Sequence, residues 1–420
     1  MAMRSTSRRP PARWCSPPPA SPTSRRLVIA SSPCGPTISN ASPPGGCWRP
    51  SRSRRGSILT PDPVGSGRQR LVVAMDTRAL GEGAATGVGR YIQALIGAFR
   101  ESRGIDLALY PDRGLRVVGP QVLIPLRMRG DHAQLIHGPA NALPLFGFGL
   151  PGVVTIHDLA IYDHPEWFPA GQWFATRVVV PRSVHQARAI ICPSTATREA
   201  VVRHFQVDPQ RCRVIPHGVE TEFSLPISTA VRADLAARYA LPDRYLLQVG
   251  TVQPRKNYVT SLRALARIPA EQRLPLLVVG GFGWKYDDVV DSVRELNLEQ
   301  WVRFVGYAAM EELPGLYQMA QAVLFPSLDE GFGLPVLEAF AAGTPVVASN
   351  AGAIPEVARD AALLSAPTDD AALAGNLARL LTDRALRERQ VAAGRARAAL
   401  YTWSASAAAH RDVYESIVSG

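Results

Sequence analysis

Short apolar runs and longer stretches of helical periodicity alternate along most of the chain. Leu71 to Met75 is the first continuous apolar run, and it predicts a strand that is covered on both faces of a parallel sheet. Further strands in this part are predicted at Ile105 to Tyr110, Gln134 to His137, Val153 to His157, Ala189 to Cys192 and Arg213 to Ile215. Helical patterns lie between them at Tyr91 to Phe99, Thr176 to Ala187 and Thr195 to Phe205. This alternation predicts a doubly wound α/β layer.

A second series of the same kind follows. Its predicted strands are Tyr245 to Val249, Leu276 to Val279, Val302 to Val305, Ala322 to Phe325 and Val346 to Ser349. Glu220 to Thr229 contains a proline and has no clear periodicity, so we expect it to be the linker. The fold class predicted from the pattern is therefore α/β, with two Rossmann-like doubly wound domains.

The net charge of +11 is concentrated in the first seventy residues. Residues 1–70 hold twelve arginines and one aspartate, which leaves 34 basic and 34 acidic residues in 71–420. This neutral remainder removes the argument from composition for a nucleic-acid partner. Residues 1–70 are rich in Ser, Pro and Arg and show no sustained period, so we expect a disordered extension. An organellar transit peptide is the alternative for this segment.

The cysteines and the apolar runs indicate a cytoplasmic protein. Three of the five cysteines lie in the extension, and Cys192 and Cys212 are too few and too far apart for a disulfide framework or a zinc site. No run reaches the roughly 18 to 20 apolar residues of a membrane-spanning helix. A reducing cytoplasm is the default expectation.

The segment from Ser327 to Gly343, SLDEGFGLPVLEAFAAG, is the richest in candidate chemistry. It follows a predicted buried strand, and Pro335 fits the first position of a helix, so Glu330 falls in a strand-to-helix loop. Gly331 and Gly333 allow the backbone to come close to an anion at the helix N-terminus. Glu338 is expected in the first helical turn, where a carboxylate can accept hydrogen bonds from the vicinal hydroxyls of a ribose.

With seven residues between Glu330 and Glu338, the run EGFGLPVLEAFAAGTPVV resembles the paired-glutamate motif of retaining GT-B glycosyltransferases of family 4, or group 1. The resemblance extends from about Leu71 to the C-terminus. It implies a GT-B fold, with an acceptor domain at 71–225 and a nucleotide-sugar domain at 226–403 facing a central cleft. It further implies that a helix at 404–420 crosses back to pack on the first domain.

Two motifs of the first domain match this family. Gly87 and Gly89 of GVGRY follow the first strand, where their amides can approach a diphosphate or an acceptor. His157 ends a strand in an "HD" context that in the family lies beside the transferred sugar, and we expect it to hydrogen-bond a sugar hydroxyl. His137 is a weaker candidate of the same kind.

The second domain supplies the charges that a leaving diphosphate needs. Gly250 and Thr251 open the segment GTVQPRKN, in which Arg255 and Lys256 are expected to neutralise the diphosphate. Many family members have arginine at the position of Thr251, so Arg255 is the expected substitute for it. His217 replaces the usual asparagine of a hinge-side motif.

Main-chain groups are expected to bind the rest of the nucleotide sugar. The resemblance assigns Gly281 to a glycine-rich loop near the nucleotide and Tyr307 to the segment beside the base. The amides of the helix start, at Gly331, Phe332, Gly333 and Leu334, complete the diphosphate site.

The function that the resemblance implies is retaining transfer of a sugar from a nucleotide-diphosphate sugar. Lys256, Arg255 and the helix amides would stabilise the leaving diphosphate, with Glu330 holding sugar hydroxyls. No Asp-x-Asp clamp lies in a suitable loop, so no metal and no further cofactor is expected. GT-B sugar phosphorylases, sugar-nucleotide epimerases and non-catalytic glycan-binding proteins remain alternatives.

The donor and acceptor are expectations at the level of the family. GVGRY with GTVQPRKN looks most like mannosyltransferases of surface-polysaccharide assembly, which favours GDP-mannose and a glycan or lipid-linked acceptor. Peripheral contact with the inner membrane face is then an option for an aromatic-rich stretch of the first domain. We favour core packing for that stretch. Its residues are Phe146, Phe148, Trp167, Phe168, Trp173 and Phe174, with Arg177 and Arg182.

Overall fold

Two β-sheets organise the protein in the computed structural model, which describes residues 57–59, 70–80, 86–102, 104–111, 128, 130–144 and 149–420. Most of the predicted extension at 1–70, the loop residues 81–85 and the aromatic residues at 146 and 148 lie outside these ranges. Ser57–Leu59 of the extension forms a strand that pairs antiparallel with Ile105–Tyr110. The expectation of disorder is therefore wrong for these three residues.

The first sheet has seven described strands in the order β1-β3-β2-β4-β5-β6-β7, and every neighbouring pair except β1 with β3 is parallel. Its strands are β1 Ser57–Leu59, β2 Leu71–Asp76, β3 Ile105–Tyr110, β4 Leu135–Gly138, β5 Gly152–Thr155, β6 Ala189–Cys192 and β7 Cys212–Val214. The six parallel strands are the predicted ones, with ends that agree to within two residues. We call this sheet with its helices the first lobe.

The second sheet is parallel throughout, with the order β10-β9-β8-β11-β12-β13. Its strands are β8 Leu246–Val249, β9 Leu276–Val279, β10 Val302–Gly306, β11 Ala322–Phe325, β12 Val346–Ser349 and β13 Ala362–Ser365. The last of these was not predicted. Buried apolar residues cover both faces of each sheet, which is why the strands read as continuous apolar runs. We call this sheet with its helices the second lobe.

Helices cover both sheets. The described α-helices are α1 Gly87–Glu101, α2 Ala160–Asp163, α3 Val180–Gln186, α4 Thr195–Phe205, α5 Thr229–Arg238, α6 Tyr258–Arg267, α7 Asp287–Glu295, α8 Leu313–Met319, α9 Leu334–Ala342, α10 Ile354–Ala358, α11 Asp370–Thr382, α12 Arg384–Ala398 and α13 Trp403–Ser419. Short 3-10 helices lie at Pro165–Trp167, Pro209–Arg211, Thr221–Phe223, Pro254–Lys256 and Arg359–Ala361, and a π-helical turn at Ala175–Val179. The helix predicted at Thr176 to Ala187 is thus a π-helical turn followed by α3.

Two sequence-based details near the paired glutamates are wrong. Helix α9 begins at Leu334, so Pro335 is its second residue. Glu338 is its fifth residue and lies beyond the first turn. The left-handed conformation of Gly333, with φ of 99°, sets this start, because it turns the chain out of the loop before Pro335.

The predicted linker at Glu220 to Thr229 is partly structured. It contains the 3-10 turn Thr221–Phe223, and α5 begins at Thr229. The ring of Phe223 is fully buried and packs edge-on against Tyr317, with 5.6 Å between ring centroids. The chain therefore crosses between the lobes as a packed segment.

The last helix, α13, packs on α1 of the first lobe. Trp403, Val413 and Tyr414 join the apolar core that contains Leu95 and Phe99. A buried hydrogen-bond chain adds to this contact and runs through Tyr414, His137, Thr155, Tyr91, His410 and Ser406.

The last bond of this chain fixes the direction of all the others. His410 Nδ1 lies 2.7 Å from the carbonyl oxygen of Ser406 and must donate to it. Burial lowers the pKa of this ring to about 4, so the ring is neutral and its Nε2 accepts from Tyr91. The Tyr91 hydroxyl then accepts from Thr155, Thr155 accepts from His137, and His137 accepts from Tyr414. Burial also lowers the pKa of His137 well below its ordinary value, and His137 is a core residue that contacts α13 through Tyr414.

Candidate functional site

The second sheet brings the predicted cationic and acidic residues together. Strand order reverses between the neighbouring strands β8 and β11, and in parallel α/β sheets a ligand site is expected where such a reversal lies. The loop after β8 carries Arg255 and Lys256, and the loop after β11 carries Glu330. The Lys256 ammonium donates to Glu330 Oε1 at 2.6 Å, and Arg255 Nη1 donates to Oε2 at 3.2 Å. We call these three residues the cation–glutamate centre.

Burial and charge compete at this centre. Burial would raise the pKa of Glu330, but Arg255 and Lys256 outweigh it and hold that pKa below its usual range. Burial lowers the pKa of Lys256, a shift that Glu330 opposes. The pKa of Arg255 is raised by Glu330 and Asp158, which overcome the opposite effect of burial. The centre therefore holds a carboxylate between two cations.

The first lobe meets the centre through the loop that follows β5. Arg255 Nη1 lies 3.7 Å from the Asp158 carboxylate, which sequence reasoning had treated only as the context of His157. Gly331 lies so close to the backbone of His157 that a Cβ at this glycine would be 2.8 Å from the His157 carbonyl carbon. Side-chain hydroxyls complete the contact, because Ser194 Oγ donates to the Gly331 carbonyl at 2.7 Å and Thr197 Oγ1 does so at 3.1 Å.

His157 lies at the interface of the lobes with a neutral ring. Its Nε2 donates to the Pro139 carbonyl at 2.7 Å, and its ring stands edge-on to Tyr91 at 4.8 Å. Burial lowers the pKa of this imidazole. His217 lies near it, with 5.5 Å between ring centroids, and burial lowers the pKa of His217 well below the ordinary value. The replacement of asparagine by His217 thus places a second neutral ring at the interface.

Glu338 is fully buried between the lobes. Tyr317 donates its hydroxyl to Oε2 at 2.7 Å, and Arg90 Nη1 forms an ion pair with Oε1 at 2.5 Å. Arg90 also reaches Glu220, with 3.2 Å from Nη2 to each carboxylate oxygen. Arg90 was read only as part of the GVGRY motif. Its position directly after Gly89 on α1 was the available signal for a charged group facing the second lobe.

Four further predicted residues lie in two places. Gly87 is exposed and Gly89 is buried in the first turn of α1. Gly250 and Thr251 begin the loop that leads to Lys256, and the Gly250 carbonyl accepts a hydrogen bond from Tyr258 at 2.6 Å. These residues follow the carboxyl ends of β2 and β8.

Gly281 and Tyr307 lie together after β9 and β10. A Cβ at Gly281 would be 2.5 Å from the Tyr307 ring, and this ring is 67% exposed. An exposed aromatic face above a bare backbone is suited to stacking with a nucleotide base. Phe332 differs, because its side chain is buried against His217 and Tyr401, so only its backbone can serve a ligand.

A cavity of about 530 Å³ opens beside the cation–glutamate centre. Both lobes line it, and its lining includes Asp158, Thr197, Arg203, Asp329, Glu330 and Gly352. This volume falls within the range of small-ligand sites. Among the described residues, no group of three His, Cys, Asp or Glu side chains is arranged to hold a metal ion.

The aromatic stretch of the first lobe is divided between two environments. Trp167 is half-buried, and its carbonyl accepts a hydrogen bond from Trp284 of the second lobe at 2.6 Å. Trp173 and Phe174 are 68% and 55% exposed, so the expectation of core packing is wrong for them. Arg177 and Arg182, in the same stretch of the chain, are also exposed. No helix in the described part of the chain is long and apolar enough to cross a membrane.

Comparison with known proteins identifies the family. The family model described as glycosyl transferases group 1 matches residues 236–397, and the model for glycosyltransferase family 4 matches residues 98–223. O-antigen chain mannosyltransferase B of Escherichia coli is 34% identical over 314 residues, which are 72% of this chain and 80% of that protein. The chain belongs to the glycosyltransferases of group 1.

Another relative of this glycosyltransferase and two similar solved structures carry the names of other enzymes or proteins. D-inositol 3-phosphate glycosyltransferase of Kineococcus radiotolerans is 34% identical over 238 residues, which are 51% of this chain and 53% of that protein. Sucrose-phosphate synthase from Thermosynechococcus elongatus superposes with a TM-score of 0.65 at 24% identity, over 83% of this chain and all of that one. HepE of Anabaena, solved with UDP-glucose, superposes with a TM-score of 0.68 at 18% identity, over 84% of this chain and all of that one. The predicted GT-B fold and the predicted family are confirmed.

Proposed function

We propose that this glycosyltransferase moves mannose from GDP-mannose to a glycan or lipid-linked acceptor of surface polysaccharide, with retention at the anomeric carbon and without a metal ion. The observation that carries the proposal is the buried cation–glutamate centre at the strand-order reversal. The name of the relative that aligns over most of its length, O-antigen chain mannosyltransferase B, supports mannose as the sugar.

The centre has the charges that donor cleavage needs. Departure of a nucleoside diphosphate leaves negative charge on the leaving oxygen and positive character at the anomeric carbon. Lys256 and Arg255 would stabilise the leaving oxygen by fixed charge, together with the amides from Gly331 to Leu334 at the start of α9. Glu330 would accept hydrogen bonds from the sugar hydroxyls, so that its carboxylate and both cations act on opposite ends of the bond that breaks.

Each lobe has its own part in the proposal. The second domain, 226–403, would bind the donor, with Glu338 on the ribose and Tyr307 beside the base. The first domain, 71–225, would bind the acceptor, with His157 on a hydroxyl of the transferred sugar and Gly87 and Gly89 beside the diphosphate. The cavity next to Glu330 supports this division, because residues of both lobes line it.

The configuration at the anomeric carbon is retained if the acceptor hydroxyl attacks the face of the sugar from which the diphosphate leaves. A double displacement needs a carboxylate nucleophile below the sugar, whereas Glu330 is held by two cations and is a weak nucleophile. The acceptor hydroxyl would therefore pass its proton to the leaving diphosphate oxygen as the new glycosidic bond forms.

A donor panel tests the proposal. The full-length protein is incubated with an oligomannose acceptor and with GDP-mannose, UDP-glucose or ADP-glucose, each with and without EDTA. The expected result is transfer from GDP-mannose in both arms, with an α-linked product by NMR. Transfer from no donor contradicts the enzyme assignment, a β-linked product contradicts retention, and loss of activity in EDTA contradicts metal independence.

We further propose that the enzyme works at the cytoplasmic membrane surface. The exposure of Trp173, Phe174, Arg177 and Arg182 in one stretch of the chain supports this, since aromatic and basic side chains together favour an anionic lipid surface. Trp173→Ser/Phe174→Ser is expected to reduce cosedimentation with vesicles of phosphatidylglycerol and phosphatidylethanolamine. Leu400→Ser, at a 67% exposed apolar residue elsewhere, is the control. Equal loss for both variants contradicts this part of the proposal.

A further inference from the structure

Arg90 pairs with two carboxylates at once, one half-buried and one fully buried. It projects from the first turn of α1, and its guanidinium forms ion pairs with Glu220, at the start of the linker, and with Glu338 of α9. The side chain of Arg90 is 15% exposed, that of Glu220 is 20% exposed and that of Glu338 is fully buried. One side chain thus ties the first lobe, the linker and the second lobe together.

Both oxygens of Glu338 face a polar group, but only Oε2 is hydrogen-bonded. Oε2 accepts from the Tyr317 hydroxyl, and Oε1 lies against Arg90. The two hydroxyls of a ribose can hydrogen-bond Glu338 only if they can reach its carboxylate oxygens. The contact of Tyr317 comes from within the second lobe, whereas Arg90 approaches from the first lobe, across the interface.

We infer that Arg90 occupies the place of the donor ribose on Glu338 and gives it up, retained by Glu220, when the donor binds. This inference rests on the proposed function, because it takes Glu338 as the ribose acceptor. Glu220 is what makes the exchange feasible, since it pairs with Arg90 through both oxygens and keeps the guanidinium charge compensated after the Glu338 contact has opened. Arg90 is then a positioning residue that couples donor binding to the contact between the lobes.

The exchange predicts that a substitution at this interface increases the affinity for the nucleotide instead of lowering it. Arg90→Met removes the competitor of the ribose, so the affinity for a nucleoside diphosphate is expected to rise by about tenfold, the change that corresponds to one lost competing contact of ordinary strength. The gain depends on the ribose hydroxyls. A 2′,3′-dideoxynucleoside diphosphate, which cannot use Glu338, is expected to bind both proteins equally.

The test is a calorimetric titration of the full-length wild-type and Arg90→Met proteins with GDP, UDP and ADP and with their 2′,3′-dideoxy forms. The inference is supported if only the ribonucleotides gain affinity. It is overturned if ribo and dideoxy forms change in parallel, or if Arg90→Met weakens the ribonucleotides alone. If none of the three ribonucleotides binds the wild-type protein, the proposed function itself fails.

Two further variants keep the test decisive. Arg90→Lys retains the charge but cannot hold Glu220 and Glu338 with separate nitrogens, so a smaller gain in the same direction is expected even if Arg90→Met does not fold. Glu356→Gln weakens a different contact between the lobes, in which this carboxylate accepts from the Thr195 amide at 2.8 Å. It loosens the interface without touching Glu338, so ribo and dideoxy forms are expected to shift together.

Discussion

Lys256 and Lys285 are the two lysines of the chain, and they lie in different environments. Lys256 is buried and pairs with Glu330 at 2.6 Å. Lys285 donates to the carbonyl of Glu166 across the rim of the gap between the lobes, at 2.5 Å. Only the first lies in the proposed diphosphate site, so the pair provides a matched comparison of one residue type in one protein.

We expect Lys256→Ala to lower kcat for sugar transfer by about 100-fold, as removal of one preorganised electrostatic group does in other active sites. Lys256→Arg should restore little of it, because the larger fork does not fit the space of a buried ammonium between Glu330 and the Phe325 ring. Lys285→Ala should stay within about threefold of wild type. Steady-state kinetics with the best donor measures all three, and equal losses at both lysines would contradict the assigned role of Lys256.

The last helix, α13, depends on the neutral forms of its histidine partners. Burial lowers the pKa of His410 to about 4. An added proton on Nε2 would oppose the hydroxyl hydrogen that Tyr91 donates to this atom, and His137 in the same hydrogen-bond chain has a pKa lowered well below the ordinary value by burial. The attachment of α13 to the first lobe is therefore sensitive to acid.

Stability is expected to fall as the pH drops from about 6.5 to about 4. In this window the unfolded chain binds a proton at His410 that the folded protein excludes. The contribution of His410 to the free energy of unfolding is therefore fully present above about pH 6.5 and is lost as the pH falls towards about 4. His410 alone accounts for about 3 kcal/mol. Urea unfolding at several pH values measures the slope, and His410→Gln, which can still pair with Tyr91, should flatten it. An unchanged slope in that variant would exclude His410 as the source.

Gly218 packs against the backbone at the start of α13. A Cβ at this residue would lie 2.6 Å from the carbonyl carbon of Thr402 and 2.8 Å from Trp403 Cα, and backbone atoms cannot move aside cheaply. Gly218→Ala is expected to cost about 2 kcal/mol and to raise amide hydrogen exchange in α13 first. Uniform exchange across both lobes would argue against a local effect.

The two lobes touch through a contact that leaves no room for a side chain. Gly331, in the loop after β11, lies against the backbone of His157, and Ser194 and Thr197 bind its carbonyl. The amides that we propose for the diphosphate, from Gly331 to Leu334, therefore lie in the same short segment as this contact with the first lobe. Any change of volume at Gly331 must alter the distance between the lobes.

Gly331→Ala should separate the lobes without unfolding either one. We expect a larger radius of gyration by small-angle X-ray scattering, nearly unchanged far-UV circular dichroism and a loss of about 100-fold in kcat/KM, since misplacement of catalytic groups by about 1 Å has effects of this size. Gly375→Ala, in α11 with nothing within 4 Å of the new methyl group, is the control and should leave all three quantities unchanged. Retained activity in Gly331→Ala would contradict a role for this contact in catalysis.

Local patterns were sufficient for most of the strands and for the family. Eleven strands were placed within two residues because parallel strands buried on both faces are continuous apolar runs, a signal that needs no knowledge of the partner strand. Ala362–Ser365 escaped because it lies close to α10 and the turn Arg359–Ala361, where the apolar residues show no separate run. The paired glutamates and their glycines lie within one short segment, so the sequence was sufficient to recognise them as well.

Contacts between distant segments had no such signal. The pairing of Lys256 with Glu330 joins residues 74 positions apart, and the hydrogen-bond chain between His137 and Tyr414 joins residues 277 positions apart. Arg90 and Glu338 were each visible in a motif, but their ion pair arises because the lobes fold against each other. The sequence by itself determines the local motifs and most of the strands, whereas the tertiary structure decides which group pairs with each buried charge. The reason is that a charge is buried only where a compensating group from another part of the fold meets it.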